Sequence, residues 1–216
     1  RWTSPPTIST MRIERIEKSK HKQERVLVFL EGGDLLRITG AELLQFGLYQ
    51  GLDLTPETLA ALEAAARRSD TKRRGANMAA GRMLSKKELT SRLTKKGAAP
   101  EDAADTADWL EELGAVDDAA YAGVIARHYG GMGYGAARVR QELHRRGVPK
   151  ELWDEALEQL PPPEEAIRKF LRTKLRGRPL TPEDSRRLAA ALQRRGFGWQ
   201  DIRPVLNELG QEIDET

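Results

Sequence analysis

A leucine, a spacer, two basic residues and a glycine recur three times along this chain. They stand as Leu93-Thr94-Lys95-Lys96-Gly97, Leu143-His144-Arg145-Arg146-Gly147 and Leu192-Gln193-Arg194-Arg195-Gly196. The glycines lie 50 and then 49 residues apart. Each is followed by a segment that closes on a leucine pair, Leu110 and Leu113, Leu157 and Leu160, or Leu206 and Leu209. A fixed period of this size is the mark of an array of small units. Basic residues in a helix's last turn complement its negative end, and glycine takes the left-handed position just beyond. A turn opened by Pro100, Pro149 or Trp199 then leads into a third helix. Upstream there is room for one more helix per unit, roughly 72–84, 117–129 and 163–175. The spacing therefore predicts three-helix repeats of about 45 to 50 residues, with third helices over 101–112, 150–160 and 199–209. Units this small bury little alone and need their neighbours.

The segment before the repeats reads differently. Val26 to Leu30 is a short apolar run stopped by Glu31-Gly32-Gly33-Asp34, and Leu35 to Ile38 follows at once, which predicts a hairpin. Ile13 and Ile16 supply a third strand. Ala41 to Phe46 fits a short helix ended by Gly47, and Thr55-Pro56-Glu57 reads as a cap, a first-turn proline and a first-turn acid. The expected fold is mainly α: tandem three-helix repeats in an elongated, curved array with a small β-rich N-terminal extension. The expected divisions are a disordered leader over 1–10, the β-rich extension over 11–54, a linker helix with repeat 1 over 55–116, repeat 2 over 117–160, and repeat 3 with a tail over 161–216.

Composition narrows the function. The chain has 36 Lys+Arg, 33 Asp+Glu and no cysteine among 216 residues, which excludes disulfides, thiolate catalysis and cysteine metal sites. His21, His128 and His144 are scattered, and no apolar run reaches membrane-spanning length. A soluble, cytoplasmic, monomeric protein without metal, cofactor or catalytic constellation is expected. The net charge is only +3, so a polyanionic partner must be argued from where charges sit. They are sorted. The middle helices (86–96, 136–146, 182–195) hold 13 basic and four acidic residues, whereas the third helices hold twelve acidic and two basic. The candidate contacts are Lys95, Lys96, Arg138, Arg140, Arg145, Arg146, Arg186, Arg187, Arg194 and Arg195, with Tyr134 as an exposed aromatic between two glycines. For any one basic pair ordinary helix capping is the favoured explanation, and the threefold recurrence weakens it for the set.

At these residues the chain resembles the RecX family, bacterial regulators of the RecA recombinase. The resemblance rests on Ser85-Lys86-Lys87-Glu88-Leu89 with Leu93 to Gly97, on Val116-Asp117-Asp118-Ala119-Ala120-Tyr121-Ala122, and on Gly133-Tyr134, Arg138, Gln141-Glu142-Leu143 and Arg146-Gly147. It spans Lys72 to Leu209. It implies a non-enzymatic protein that lies in the groove of a RecA–DNA filament and modulates, in the inhibitory direction, ATP hydrolysis and strand exchange. Weak, non-specific contact with single- or double-stranded DNA is implied beside it. The competing reading is a sequence-independent DNA-binding helical protein acting without RecA.

Other motifs carry less. Gly131-Met132-Gly133-Tyr134-Gly135 lacks the strand before it that a dinucleotide loop needs and reads as an interhelical loop. Asp117 and Asp118 read as an N-cap and a first-turn acid. Trp109, Trp153 and Trp199 read as packing anchors. Arg168 to Arg178 carries six basic residues without an acid, either a contact or a solvated face.

Overall fold

The computed structural model describes residues 10–20 and 24–214, with side chains to residue 210. The leader expected over 1–10 thus lies, except for Thr10, outside the described residues.

Strands β1 (Met11–Lys18), β2 (Arg25–Leu30) and β3 (Leu35–Thr39) form an antiparallel meander with the turn at Gly32-Gly33. A two-residue strand, β4 (Asp53–Leu54), pairs with the start of β1 and completes the order β3-β2-β1-β4. The three-stranded expectation missed it, because two residues carry no alternation to read. Helix α1 (Gly40–Gln45) starts in a capping box between Thr39 and Glu42. Ile13, Val28, Leu30, Ile38 and Leu54 pack with Leu62 of α2 (Pro56–Gly81) into one apolar cluster.

Helix α2 corrects the expectation of a separate helix starting near Lys72. It runs unbroken for 26 residues, since nothing from Glu57 to Arg74 is a glycine or proline and Gly75 is buried in mid-helix. Beyond it come α3 (Lys86–Lys95), α4 (Pro100–Glu112), α5 (Asp118–Gly131) and α6 (Ala136–Arg145). The expected third helix over 150–160 is shorter than the pattern suggested. A 3-10 turn (Lys150–Leu152) leads into α7 (Trp153–Leu157), and Gln159 and Leu160 already bond three residues back as Pro161-Pro162-Pro163 approaches. Helices α8 (Pro163–Leu175), α9 (Pro182–Arg194) and α10 (Trp199–Asp214) follow.

The chain divides into two compact units: residues 1–78 with 93–106, and residues 79–92 with 107–216. In the second, Tyr121, Ile125, Val139, Leu143 and Val148 form one core, and Ile167, Leu171, Leu188, Leu192 and Ile202 another. Among the described residues no helix is long and apolar enough to cross a membrane.

The recurring leucine-to-glycine motif has a single backbone explanation. Gly97, Gly147 and Gly196 have φ of +89°, +71° and +91°. The amides of Ala98, Val148 and Phe197 reach back to the carbonyls of Leu93, Leu143 and Leu192 at 3.1, 3.0 and 3.2 Å, and each glycine amide bonds the carbonyl three residues before it. This is the Schellman ending, written three times.

Candidate partner-binding surface

The middle helices of the second unit meet end to end. Helix α6 has no side-chain cap at Gly135. Its first amides are satisfied from outside: Gly135 donates to the Arg195 carbonyl at 2.9 Å and Ala137 to the Gly196 carbonyl at 3.1 Å. The carbonyl-rich end of α9 therefore caps the amide-rich end of α6, joining opposite partial charges. A Cβ on Gly196 would collide with the backbone nitrogen of Arg138, and one on Gly135 with the Gly196 carbonyl. The same relation holds one repeat earlier. Ser85, just before α3, donates its hydroxyl to the Arg146 carbonyl, and Gly147 lies against the Lys87 stem. Ser85 and Glu88 close a capping box on α3, while Asp118 accepts the Lys86 amide at 2.9 Å.

The candidate residues sort into two groups. Arg195 is half-buried. It donates to the carbonyls of Gly133 (3.2 Å) and Met132 (3.4 Å) and lies over the rings of Phe170 (5.0 Å) and Tyr134 (5.3 Å). Arg138 approaches Tyr134 at 5.9 Å, so this tyrosine is half-buried between two guanidinium groups rather than exposed. Arg138, Arg145 and Arg146 surround the buried Glu142. Arg145 makes two bonds to its carboxylate at 2.7 and 3.0 Å, and Arg146 and Arg138 stand at 3.5 and 3.7 Å. Burial pushes the Glu142 carboxyl up, but the hydrogen bond and charge of Arg145, with the charge of Arg146, outweigh it and hold the group below the usual range. Arg146 also donates to the Tyr121 hydroxyl at 2.5 Å, and Arg187 pairs with Asp184 at 2.5 Å.

Lys95, Lys96, Arg140, Arg186 and Arg194 form the second group. Each is exposed, and none has a side-chain partner among the described residues. Within each pair of the second unit, the first arginine points outward and the second is half-buried.

Asp117 caps α5 by accepting the Ala120 amide, as expected. Trp153 is the anchor anticipated, donating to the Val148 carbonyl at 3.0 Å, whereas Trp199 is 51% exposed and anchors little. In the Arg168–Arg178 run, Arg168 pairs with Glu208 at 2.6 Å and Arg178 bonds the Leu175 carbonyl, so that run is partly structural. Glu142 is the residue whose importance the pattern hid. Its signal was present: one acid at i−3 and i−4 to two arginines, and four past a third, on an otherwise basic helix. No group of three or more His, Asp or Glu residues able to hold a metal occurs among the described residues.

The repeats resemble known proteins. The model of the second three-helix domain of RecX matches residues 117–157, and that of the third matches residues 163–206. The regulatory protein RecX of Chlorobaculum tepidum is 34% identical over 139 residues, covering 62% of this chain and 84% of its own. The chain belongs to the RecX family. The RecX regulatory protein of Pseudomonas putida KT2440 is 33% identical over 130 residues, 59% of this chain and 82% of its own. A crystal structure of a RecX regulatory protein superposes with a TM-score of 0.74 at 22% identity, covering 91% of this chain and 99% of that one. RecX from Lactobacillus salivarius gives 0.59 at 16% identity, over 66% and 96%. Both likenesses bear on the fold. The matched domains begin at the Asp117 cap and at Pro163, so α5 to α7 and α8 to α10 correspond to the family's second and third units.

The two groups of cations separate in a stability measurement. Arg195→Ala is expected to lower the melting temperature by several degrees, because two carbonyl contacts and two ring contacts go with it, about 1–3 kcal/mol. Arg194→Ala is expected to leave the melt within about a degree, as exposed residues away from such features do. Paired thermal melts by circular dichroism check this, and equal shifts would remove the distinction.

Proposed function

We propose that this chain is a non-enzymatic regulator of the RecA recombinase. It seats on the RecA–DNA filament groove and inhibits ATP hydrolysis and strand exchange. Family membership and the relatives' being regulatory proteins by name support the reading. The observation that carries it at residue level is the set of exposed, unpartnered cations on the middle helices, beside cations that are internally neutralised. Groups left free at no structural benefit suit an acidic or phosphate-bearing partner. We assign the contacts to Lys95, Lys96, Arg140, Arg186 and Arg194. Arg138, Arg145, Arg146, Arg195 and Tyr134 hold the helices that present them, and Arg187 is partly neutralised by Asp184.

The test is RecA's DNA-dependent ATPase with this chain titrated in at two salt concentrations. Wild type is expected to inhibit at or below equimolar ratio to RecA. The combination Arg140→Glu, Arg186→Glu and Arg194→Glu should raise the half-inhibitory concentration at least about tenfold, with helicity unchanged and weaker salt dependence. Inhibition equal to wild type would refute these contacts. Inhibition that vanishes once bare DNA is in excess would favour direct DNA binding without RecA.

A further inference from the structure

A second concentration of positive charge belongs to the N-terminal unit, around a cavity bounded by the sheet, helix α2 and the segment from Gly97 to Asp102 that follows α3. Alternate residues of the β2–β3 hairpin, Arg25, Leu27, Leu35 and Arg37, fall on one face of the sheet, opposite the face that carries Val28 and Ile38. That face forms one wall of a cavity of about 700 Å³. Helix α2 forms another wall, contributing Arg67, Asp70, Arg73 and Arg74. The size is that of a small-molecule site.

The charge balance inside it is uneven. Asp70 is shared by three arginines: Arg25 and Arg73 reach one carboxylate oxygen and Arg74 the other, each at 2.6 Å. Burial pushes the Asp70 carboxyl up, yet the hydrogen bond from Arg73 and the three charges hold it below the usual range. The Arg73 Nε is buried without a hydrogen-bond partner. Arg37 and Arg67 have no side-chain partner among the described residues. Five guanidinium groups thus line the cavity against two carboxylates, Asp70 and Asp102, an excess of three positive charges. Like charges held this close repel unless an anion joins them.

We infer that this cavity is a binding site for the phosphoryl groups of a free nucleotide. Several guanidinium forks converging on one space match a multiply charged tetrahedral anion, which can accept from more than one fork at once. Leu27, Leu35 and Ala66 supply apolar lining beside the arginines, where a base or ribose would lie. None of its five arginines is among the residues assigned to the filament, so variants of Arg37 and Arg67 test it separately from that reading.

Calorimetric titration of the full chain tests it with three probes: inorganic pyrophosphate, ATP and a short oligothymidylate, each at low and at physiological salt. Arg37→Ala with Arg67→Ala is the diagnostic variant. Both residues are exposed and outside the Asp70 cluster, so the fold is retained; Arg67→Gln alone serves as a milder second variant. Saturable, salt-sensitive binding that weakens at least tenfold in the double variant is expected. Uptake of ATP more tightly than pyrophosphate, weakened by the same variants, identifies a free nucleotide as the ligand. Uptake of pyrophosphate alone, or of the oligothymidylate alone, overturns that assignment. Binding of no probe at low salt, or binding that both variants leave unchanged, overturns the site.

Discussion

Gly196→Ala is expected to destabilise the C-terminal repeats by about 3–5 kcal/mol, whereas Gly97→Ala should cost only about 1–2. Both glycines end a helix in the left-handed region, at φ of +91° and +89°, so an L side chain strains both alike. They differ in surroundings. Nothing lies within 4 Å of a Cβ at Gly97, whereas one at Gly196 would press on the backbone nitrogen of Arg138, which cannot swing aside. Relief requires the α9 and α6 ends to separate, sacrificing the bonds from Gly135 and Ala137 at roughly 1 kcal/mol each on top of the overpacking. Gly135→Ala should open the same junction at a smaller total cost, since its Cβ meets the Gly196 carbonyl but its φ of −88° adds no left-handed strain. The chain has two compact units and the junction lies in one of them, so a local readout is the sharper test. Amide hydrogen exchange supplies it. Gly135 and Ala137 amides should lose protection in Gly196→Ala and keep it in Gly97→Ala. Equal protection in both variants would mean that the junction does not bear on stability.

Removing the Glu142 carboxylate is the second large effect. Glu142→Ala should cost about 2–4 kcal/mol, because Arg138, Arg145 and Arg146 then face one another round a buried space without their counter-charge. The lower part of that range is the better figure if Arg145, which is exposed, turns to solvent. Glu142→Gln keeps the shape and isolates the charge. The folded-state carboxyl sits below its ordinary position, so its contribution is fully present above the unfolded carboxyl range and is lost as pH falls through the folded value. Wild type and Glu142→Gln should therefore differ most in melting temperature near neutral pH and converge on acidification. A gap that stays constant from pH 7 to pH 3 would show that the charge is not the source.

The Schellman endings, the hairpin and the Asp117 cap could be read directly because each has a local cause within about six residues of chain. Charge sorting was also legible, but not which charges are engaged. Arg146 finds Tyr121 25 residues away, and Arg195 finds Gly133 at a separation of 62. No spacing rule in a single sequence announces such pairs, so Arg145 and Arg146 looked equivalent. Tyr134 was read as exposed from its glycine neighbours, yet two guanidinium groups from other positions cover it. The continuity of α2 was misjudged for a different reason. The repeat period set a boundary near Lys72, but no residue there breaks a helix, and local helix propensity prevailed. The arginine cavity of the N-terminal unit was invisible, because strand residues 25 and 37 meet helix residues 67 to 74 only after folding.

The end-to-end joint has a bearing on how such an array can change length. Each middle helix of the second unit offers a plug, the carbonyls beyond its last turn, and a socket, the amides or hydroxyl before its first. A duplicated unit inherits both halves together and can be inserted between its parents without a new interface having to arise. Loss of an internal unit likewise leaves a plug facing a socket. The two termini are different, since one plug and one socket there have no mate within the series. At the N-terminal end the Lys96 carbonyl is taken up by Arg74 at 3.2 Å, and at the other end Thr181 caps α9 with its own side chain. These substitutes close the series at both ends, so that an end unit, unlike an internal one, cannot be removed without leaving its neighbour to find a new cap.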